Sequence, residues 1–316
     1  MTNLIRRLRE RGVLAINRRN AQYTLIYNRR GLYPLVDDKL LTKQLAQANG
    51  IAAPELYGVI EVEGQVEHLP EIVRDREGFV IKPAHGSGGE GILVALGQIN
   101  DKFRKQDGRI ITLDELNHHV FSLLSGLYSL GGQPDRALIE YRVEFNPIFE
   151  SISYQGVPDI RIIVFLGVPV MSMVRLPTRM SEGKANLHQG AIGAGIDIAT
   201  GRTLGAVWGN QPVNEHPDTG RALAGVQIPD WEKLLELAAR CHELTGLGYQ
   251  GVDIVLDRDK GPLVLELNAR PGLNIQIANK AGLLPRLRKV EAEHDTLTSI
   301  AERVAYAREH FAVSAA

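Results

Sequence analysis

The stretch Gly251-Val-Asp-Ile-Val-Leu-Asp-Arg-Asp-Lys-Gly-Pro-Leu-Val-Leu-Glu-Leu-Asn-Ala-Arg-Pro-Gly272 constrains this chain more than any other. Two short β-branched and Leu-rich runs flank a polar turn, Asp257 to Gly261, which is the pattern of a buried hairpin. Three oxygen-bearing side chains interrupt the apolar ribbon: Asp253, Glu266 and Asn268. Glu266 and Asn268 are two apart, so on a strand they share a face. A turn over Asp257 to Pro262 pairs Leu256 with Leu263 and sets Asp253 opposite Glu266. Two bare carboxylates side by side on a buried face repel each other and lose hydration. A hard divalent cation relieves both costs, and Mg²⁺ combines one or two carboxylates with phosphate oxygens. The hairpin therefore reads as the metal platform of a nucleoside triphosphate site. A core hairpin with polar rim residues would explain any one of the three side chains; the trio favours the metal.

Composition is that of an ordinary soluble globular protein, with 44% hydrophobic and 23% charged residues among 316. The length allows two domains, or one large α/β unit with lobes. A net charge of −1 gives no global field for nucleic acid, so no such partner is expected. Cys241 is the single cysteine, which excludes a disulfide framework and fits a reducing compartment. The Arg-rich N-terminus lacks a secretory apolar core. The longest apolar run, Ile162 to Val174, contains Gly167 and Pro169 and is too short to span a bilayer. A cytoplasmic location is the expectation.

Residues 1 to 30 hold eight arginines and one acid, Glu10, with Leu4, Ile5 and Leu8 at helical spacing. A basic amphipathic segment can dock a membrane or another anionic partner, but is more often a solvated helix face. Asn17 to Tyr33 reads as irregular, with one short strand over Tyr23 to Tyr27. Val36 to Gly50 reads as a helix capped by Asp37 or Asp38 and ended by Gly50. Phe79 to Ile81 form a strand that delivers Lys82, and Ile92 to Val94 lead away from a loop, His85 to Gly91, with four glycines in seven residues. Such a loop lets backbone N–H groups approach a phosphate. It matches neither a Walker A loop nor a dinucleotide fingerprint, because a strand follows it. Taken alone, a ligand-free hairpin loop is equally compatible; Lys82 weighs toward phosphate. Ala137 to Glu144 is a strand, and Asp159 to Leu166 pairs with Val168 to Leu176 across a tight turn at Gly167. A buried Arg161 in that pair requires an anion, either phosphate or carboxylate. Arg175 to Gly195 reads as a long functional loop, and Ile196 to Gly209 as a hairpin around Thr200-Gly201. Trp231 to Leu244 reads as a helix with Asp230 as cap, and Leu284 to Phe311 as one largely amphipathic helix.

In order along the chain, these pieces resemble the ATP-grasp superfamily: Asp38-Lys39, Val80-Ile-Lys82-Pro83 before the glycine loop, Ile139-Glu140-Tyr141, Asp159-Ile-Arg161, Asn186-Leu-His188, Val252-Asp253-Ile254, and Leu265-Glu266-Leu-Asn268-Ala-Arg270-Pro-Gly272. Within it the chain looks most like the ribosomal-protein-S6-type α-L-glutamate ligases. The resemblance spans Val36 to Gly272 and implies an α+β fold with two lobes gripping ATP between antiparallel sheets. The implied division is a basic segment over 1–36 in place of the usual preceding lobe, a small lobe over 37–140, a large lobe over 141–290, and a C-terminal helix and tail over 291–316. It also implies roles. Lys39 and Lys82 would contact ATP phosphates or the adenine edge. His85, Gly86, Ser87, Gly88, Gly89 and Gly91 would form a flap. Glu140 and Tyr141 would bind adenine through backbone groups and Glu144 the ribose. Asp253, Glu266 and Asn268 would hold Mg²⁺ or Mn²⁺. Arg161 and Asn186 would touch the γ-phosphate or an acyl-phosphate. The reaction implied is activation of a carboxylate by ATP and attack by an amine, with an amino acid such as glutamate joined to a peptide or small-molecule acceptor.

The chain departs from that pattern at Gln189, where an arginine is usual, and at Arg270, where a small residue precedes Pro-Gly. Arg270 could grip a carboxylate or pair with a neighbouring acid. Asp197 to Trp231 resembles ATP-grasp proteins associated with sugar transfer, which leaves a saccharide or cell-envelope acceptor as the alternative. A nucleotide-binding regulator that docks a partner through residues 1–30 is a third possibility.

Overall fold

In the computed structural model, residues 2–86, 88–99, 102–129 and 131–313 are described, the side chains of 2–5 excepted. Ser87 and the side chains of Leu4 and Ile5 thus lie outside the described residues. Two compact units emerge. The smaller comprises Asp38–Gln44 and Ala53–Glu144; the larger takes the chain up to Asp37, Leu45–Ala52, and everything from Phe145. The segments set apart in the sequence at 1–36 and 291–316 both group with the larger unit.

The smaller unit is a sheet backed by helices. Its strands are β1 (Leu56–Ile60), β2 (Phe79–Pro83), β3 (Leu93–Ile99), β4 (Lys102–Lys105), β5 (Ile110–Thr112) and β6 (Ala137–Tyr141). They pair antiparallel in the order β1-β6-β2-β3-β4-β5. The helix Leu113–Leu124 starts in a capping box, with Glu115 N–H donating to Thr112 Oγ1 at 3.2 Å and Thr112 N–H to Glu115 Oε2 at 2.8 Å. Its buried Leu116, Val120 and Leu123 recur at helical spacing and share a core with Phe79, Ile81 and Ile139.

The larger unit holds β7 (Asp159–Phe165), β8 (Val168–Leu176), β9 (Ile192–Ile196), β10 (Thr203–Trp208), β11 (Gln211–Val213), β12 (Tyr249–Asp257) and β13 (Gly261–Asn268). They pair antiparallel in the order β11-β10-β9-β8-β7-β12-β13. Two antiparallel sheets with helices make this the α+β fold expected. The β7–β8 turn is as tight as expected, with Leu166 and Gly167 both at positive φ.

Several local expectations are corrected. Residues 16–27 are helical, not irregular with a strand at Tyr23 to Tyr27. Tyr23 and Tyr27 are four apart, and both rings meet Phe165 edge-on, at 5.4 and 4.9 Å between centroids; packing overrides the strand-like composition. The long loop before Gly195 ends earlier, because β9 lies inside it. Its glycines serve close approach: a Cβ on Gly195 would sit 2.7 Å from the Ala278 carbonyl oxygen. Asp230 has φ of 51° and makes no capping bond; its carboxylate pairs with Lys233 instead, at 2.7 Å. The last helix is two, Leu284–Glu293 and Ile300–His310, the second begun by a Ser299–Glu302 capping box. Among the described residues no helix is long and apolar enough to cross a membrane.

Candidate functional site

The hairpin of β12 and β13 forms with one refinement of register. The turn closes one residue earlier than expected, pairing Asp257 with Gly261 and Leu256 with Pro262 rather than Leu263. A bulge between Val264 and Glu266 then absorbs one residue, so Asp253 still lies opposite Glu266, and Gly251 opposite Asn268. On its other side β12 pairs with β7, setting Asp253 opposite Arg161, and β7 sets Asp159 opposite Arg175 of β8. Alternation brings Asp159, Arg161, Arg175, Asp253, Glu266 and Asn268 onto one face.

Four of the charges on this face, Asp159, Arg161, Arg175 and Asp253, pair among themselves. Arg161 holds both oxygens of Asp253, with Nε to Oδ1 at 2.6 Å. Arg175 reaches Asp253 Oδ2 at 2.8 Å and grips both oxygens of Asp159. Asp253 is almost wholly buried. Burial pushes its carboxyl pKa up, yet Arg161 and Arg175 outweigh that and hold it below the usual range. Burial raises Asp159 above its usual value, the Asp253 charge adding to the effect against the attraction of Arg175. Burial likewise opposes the charge on Arg175, and the two aspartates more than compensate.

Bare carboxylates on this face would call for a cation, but Asp253 is not bare. Its oxygens face two guanidinium groups, and the Asn268 amide nitrogen lies 3.4 Å away. Among the described residues no group of three or more His, Cys, Asp and Glu is placed to hold a metal. The donor set that fits a hard cation is narrower: half-buried Glu266 and Asn268, adjacent on one face at the end of β13. One carboxylate and one amide oxygen suit an ion that takes most of its ligands from phosphate and water.

In the smaller unit Glu140 on β6 is the centre. It is 3% exposed and binds the Lys82 ammonium at 2.5 Å and the Lys43 ammonium at 2.7 Å. Burial pushes Glu140 up, but the two lysines pull it below the ordinary glutamate value. Burial in turn lowers Lys43, against the attraction of Glu140. The Tyr141 N–H donates to the Glu55 carbonyl at 2.8 Å. Beyond it Arg142 and Glu144 form an ion pair.

The glycine loop joins antiparallel β2 and β3, as expected. Asp135 anchors its start, accepting from the His85 N–H at 3.0 Å, contacting His85 Nδ1 at 2.8 Å, and accepting from Ser129 Oγ at 2.6 Å. The Lys39 ammonium donates to the Gly86 carbonyl. Gly88, Gly89 and Gly91 all have positive φ, a conformation that side chains resist.

The N-terminal segment braces the strand ends of the larger unit. Buried Asn28 donates its amide N–H to the carbonyls of Tyr249 at 2.7 Å and Ala269 at 3.2 Å, and accepts from Tyr249 N–H at 2.8 Å. Buried Arg19 donates to the Pro271 carbonyl at 2.7 Å. Asn186 accepts from the His188 N–H at 3.0 Å and starts a short 3₁₀ turn. Arg270 is exposed, its guanidinium 5.0 Å from the Tyr33 ring centre.

A family model described as sugar-transfer associated ATP-grasp matches residues 18–292. The chain belongs to this ATP-grasp family. No curated protein matches it in sequence. Among solved ATP-grasp structures it is similar to the ligase PsnB complexed with minimal precursor, Mg and ADP, at 14% identity and a TM-score of 0.47. That likeness covers 85% of this chain and 62% of PsnB, so the chain spans less than two thirds of that relative. D-cycloserine synthetase DcsG is similar at 15% identity and a TM-score of 0.46, over 85% of this chain and 72% of that one. D-alanine–D-alanine ligase from Bacillus anthracis complexed with ATP is similar at 16% identity and 0.42, over 88% and 68%. The ATP-grasp resemblance read from the ordered motifs is thereby borne out, and the matching family carries the sugar-transfer association read from Asp197 to Trp231.

Four groups escaped the sequence reading: Lys43, Asp135, Asp159 as a partner of Arg175, and Arg19. Lys43 lies one helical turn after Lys39, and its ammonium shares Glu140 with Lys82; that spacing was the one available signal.

Proposed function

We propose that this chain is an ATP- and Mg²⁺-dependent ligase that joins a carboxylate to an amine through an acyl-phosphate. The observation carrying this reading is the six-residue face on β7, β8, β12 and β13, where charged and amide groups of an ATP-grasp chain line up by register. A substrate carboxylate oxygen attacks the γ-phosphorus, the bond to the bridging oxygen breaks, and ADP leaves. The amine then attacks the acyl carbon, phosphate leaves carrying the original carboxylate oxygen, and the amine loses a proton. Mg²⁺ on Glu266 and Asn268 would neutralise charge on the phosphates. Arg161, already held by Asp253, would sit rigidly beside the transferring group together with Asn186, and Arg270 would orient the acid. Lys82 and Lys43 would face phosphate oxygens, Lys39 and the glycine loop would fold over them, and the stretch from Glu140 to Glu144 would bind the nucleoside. Because the Tyr141 N–H is engaged by Glu55, adenine would be read by groups beyond it.

The acceptor we favour is a peptide or small amine, with an amino acid such as glutamate as the acid. The family description and Asp197 to Trp231 support a saccharide or cell-envelope precursor as the second candidate. Incubation of ATP and Mg²⁺ with ¹⁸O-labelled acids and a panel of amines tests both: label must appear in phosphate, and the amide identifies the acceptor. Unlabelled phosphate with an active pair would refute the acyl-phosphate, and Glu266→Ala retaining full turnover would refute the site.

A second reading concerns attachment. Leu8, Ile16, Leu25 and Ile26 are exposed in the segment that carries exposed Arg6, Arg7, Arg9, Arg11, Arg29 and Arg30. Apolar residues among arginines suit an anionic membrane surface. Sedimentation with phosphatidylserine vesicles, lost on replacing those arginines by glutamine, is the expected result.

A further inference from the structure

Among the described residues, Arg19 and Arg270 are two cations without an anion. Arg19 is only 6% exposed, yet no carboxylate lies within 4.0 Å of its guanidinium among the described residues, nor of that of Arg270. Its Nη1 donates to the Pro271 carbonyl at 2.7 Å and its Nε to Asn20 Oδ1 at 2.8 Å; Nη2 has no hydrogen-bond partner among the described residues. A buried guanidinium held only by neutral oxygens is costly. The cost is compounded here, because the charge of Arg270, one residue before Pro271, acts on Arg19 with the same sign. Of its neighbours, the Tyr249 and Tyr33 hydroxyls act in favour of the Arg19 charge, and the Tyr249 hydroxyl is itself buried without a hydrogen bond among the described residues.

Both guanidiniums nonetheless have defined neighbours. Arg270 lies against the Tyr33 ring at 5.0 Å. Arg19 is tied to the peptide that follows Arg270, and Asn28 clamps Ala269 just before it. Two like charges at one Ala-Arg-Pro segment, two residues past Asn268, form a receptor lacking its ion. We propose that Arg19 and Arg270 together bind a carboxylate of the substrate, with Arg19 Nη2 and the Arg270 guanidinium as donors. A planar carboxylate matches guanidinium geometry better than a point anion. This rests on the ligase reading above and adds to it a residue from the N-terminal segment.

The full-length chain is titrated calorimetrically with glutarate, with its diamide and with inorganic phosphate, and separately with Mg²⁺ and a non-hydrolysable ATP analogue. Glutarate should bind and the diamide should not. Arg270→Met and Arg19→Lys should each weaken glutarate about tenfold, the effect of losing one charge-assisted hydrogen bond, while nucleotide affinity stays at the wild-type level. Should Arg19→Lys fail to unfold cooperatively, Arg270→Met, at an exposed position, decides alone. Glutarate bound equally by Arg270→Met, no binding of glutarate by the wild type, or binding of phosphate alone would each overturn the proposal. Glutarate binding without nucleotide binding would leave this site standing and remove the ligase reading.

Discussion

Glu140 shows how one buried acid can organise two cations. Replacing it with glutamine leaves the Lys82 and Lys43 ammoniums with a neutral partner in the interior, and unfolding in urea should show a loss of about 3 kcal/mol. The same substitution has a pH signature. The folded-state pKa of Glu140 lies below its unfolded value of about 4.3. Its contribution is therefore complete above that pH and disappears as pH falls through the folded value. The stability difference between wild type and Glu140→Gln should shrink below about pH 4; a difference constant down to pH 3 would contradict the pairing. Lys82 was legible as a cation at a strand end, but its buried acid was not. Glu140 and Lys82 are brought together by the β2–β6 pairing, which links segments more than fifty residues apart.

At the scale of elements, pattern and packing part company in two places. The two apolar runs around a polar turn predicted the pairing of β12 and β13, and the bulge before Glu266 preserved the predicted row although the turn is shorter. Residues 16–27 and β9 went the other way. Tyr23-Thr-Leu-Ile-Tyr27 has the composition of a strand and is helical because its tyrosines pack on Phe165; Ile192-Gly-Ala-Gly-Ile196 has the composition of a loop and is a buried strand. Gly195→Ala should destabilise the chain by about 1–3 kcal/mol in thermal or denaturant unfolding, since the added Cβ meets the Ala278 backbone. Asn28→Ala removes three hydrogen bonds to the ends of β12 and β13 and should lower stability by about 1–3 kcal/mol. An Asn28→Ala variant as stable as wild type would show that the brace contributes nothing.

For the whole molecule, the N-terminal segment matters most. Leu14 and Tyr23 belong to the core of the larger unit, and Gln276 accepts from the Leu14 N–H at 2.8 Å and donates to its carbonyl at 3.0 Å. A chain lacking residues 1–36 should lose cooperative unfolding and near-ultraviolet dichroism; retention of both would make the segment an appendage. The β12–β13 hairpin and the shared face of Glu266 and Asn268 follow from apolar runs, turn chemistry and strand alternation, which act between near neighbours and are written locally; the ATP-grasp kinship was legible as a resemblance carried by an ordered set of motifs. The neutralisation of Asp253 by Arg161 and Arg175, the tie of Arg19 to the Pro271 carbonyl, and the helical state of residues 16–27 come only from contact across the fold. Arg161 and Asp253 are 92 positions apart, and which charge meets which is a property of strand register in space.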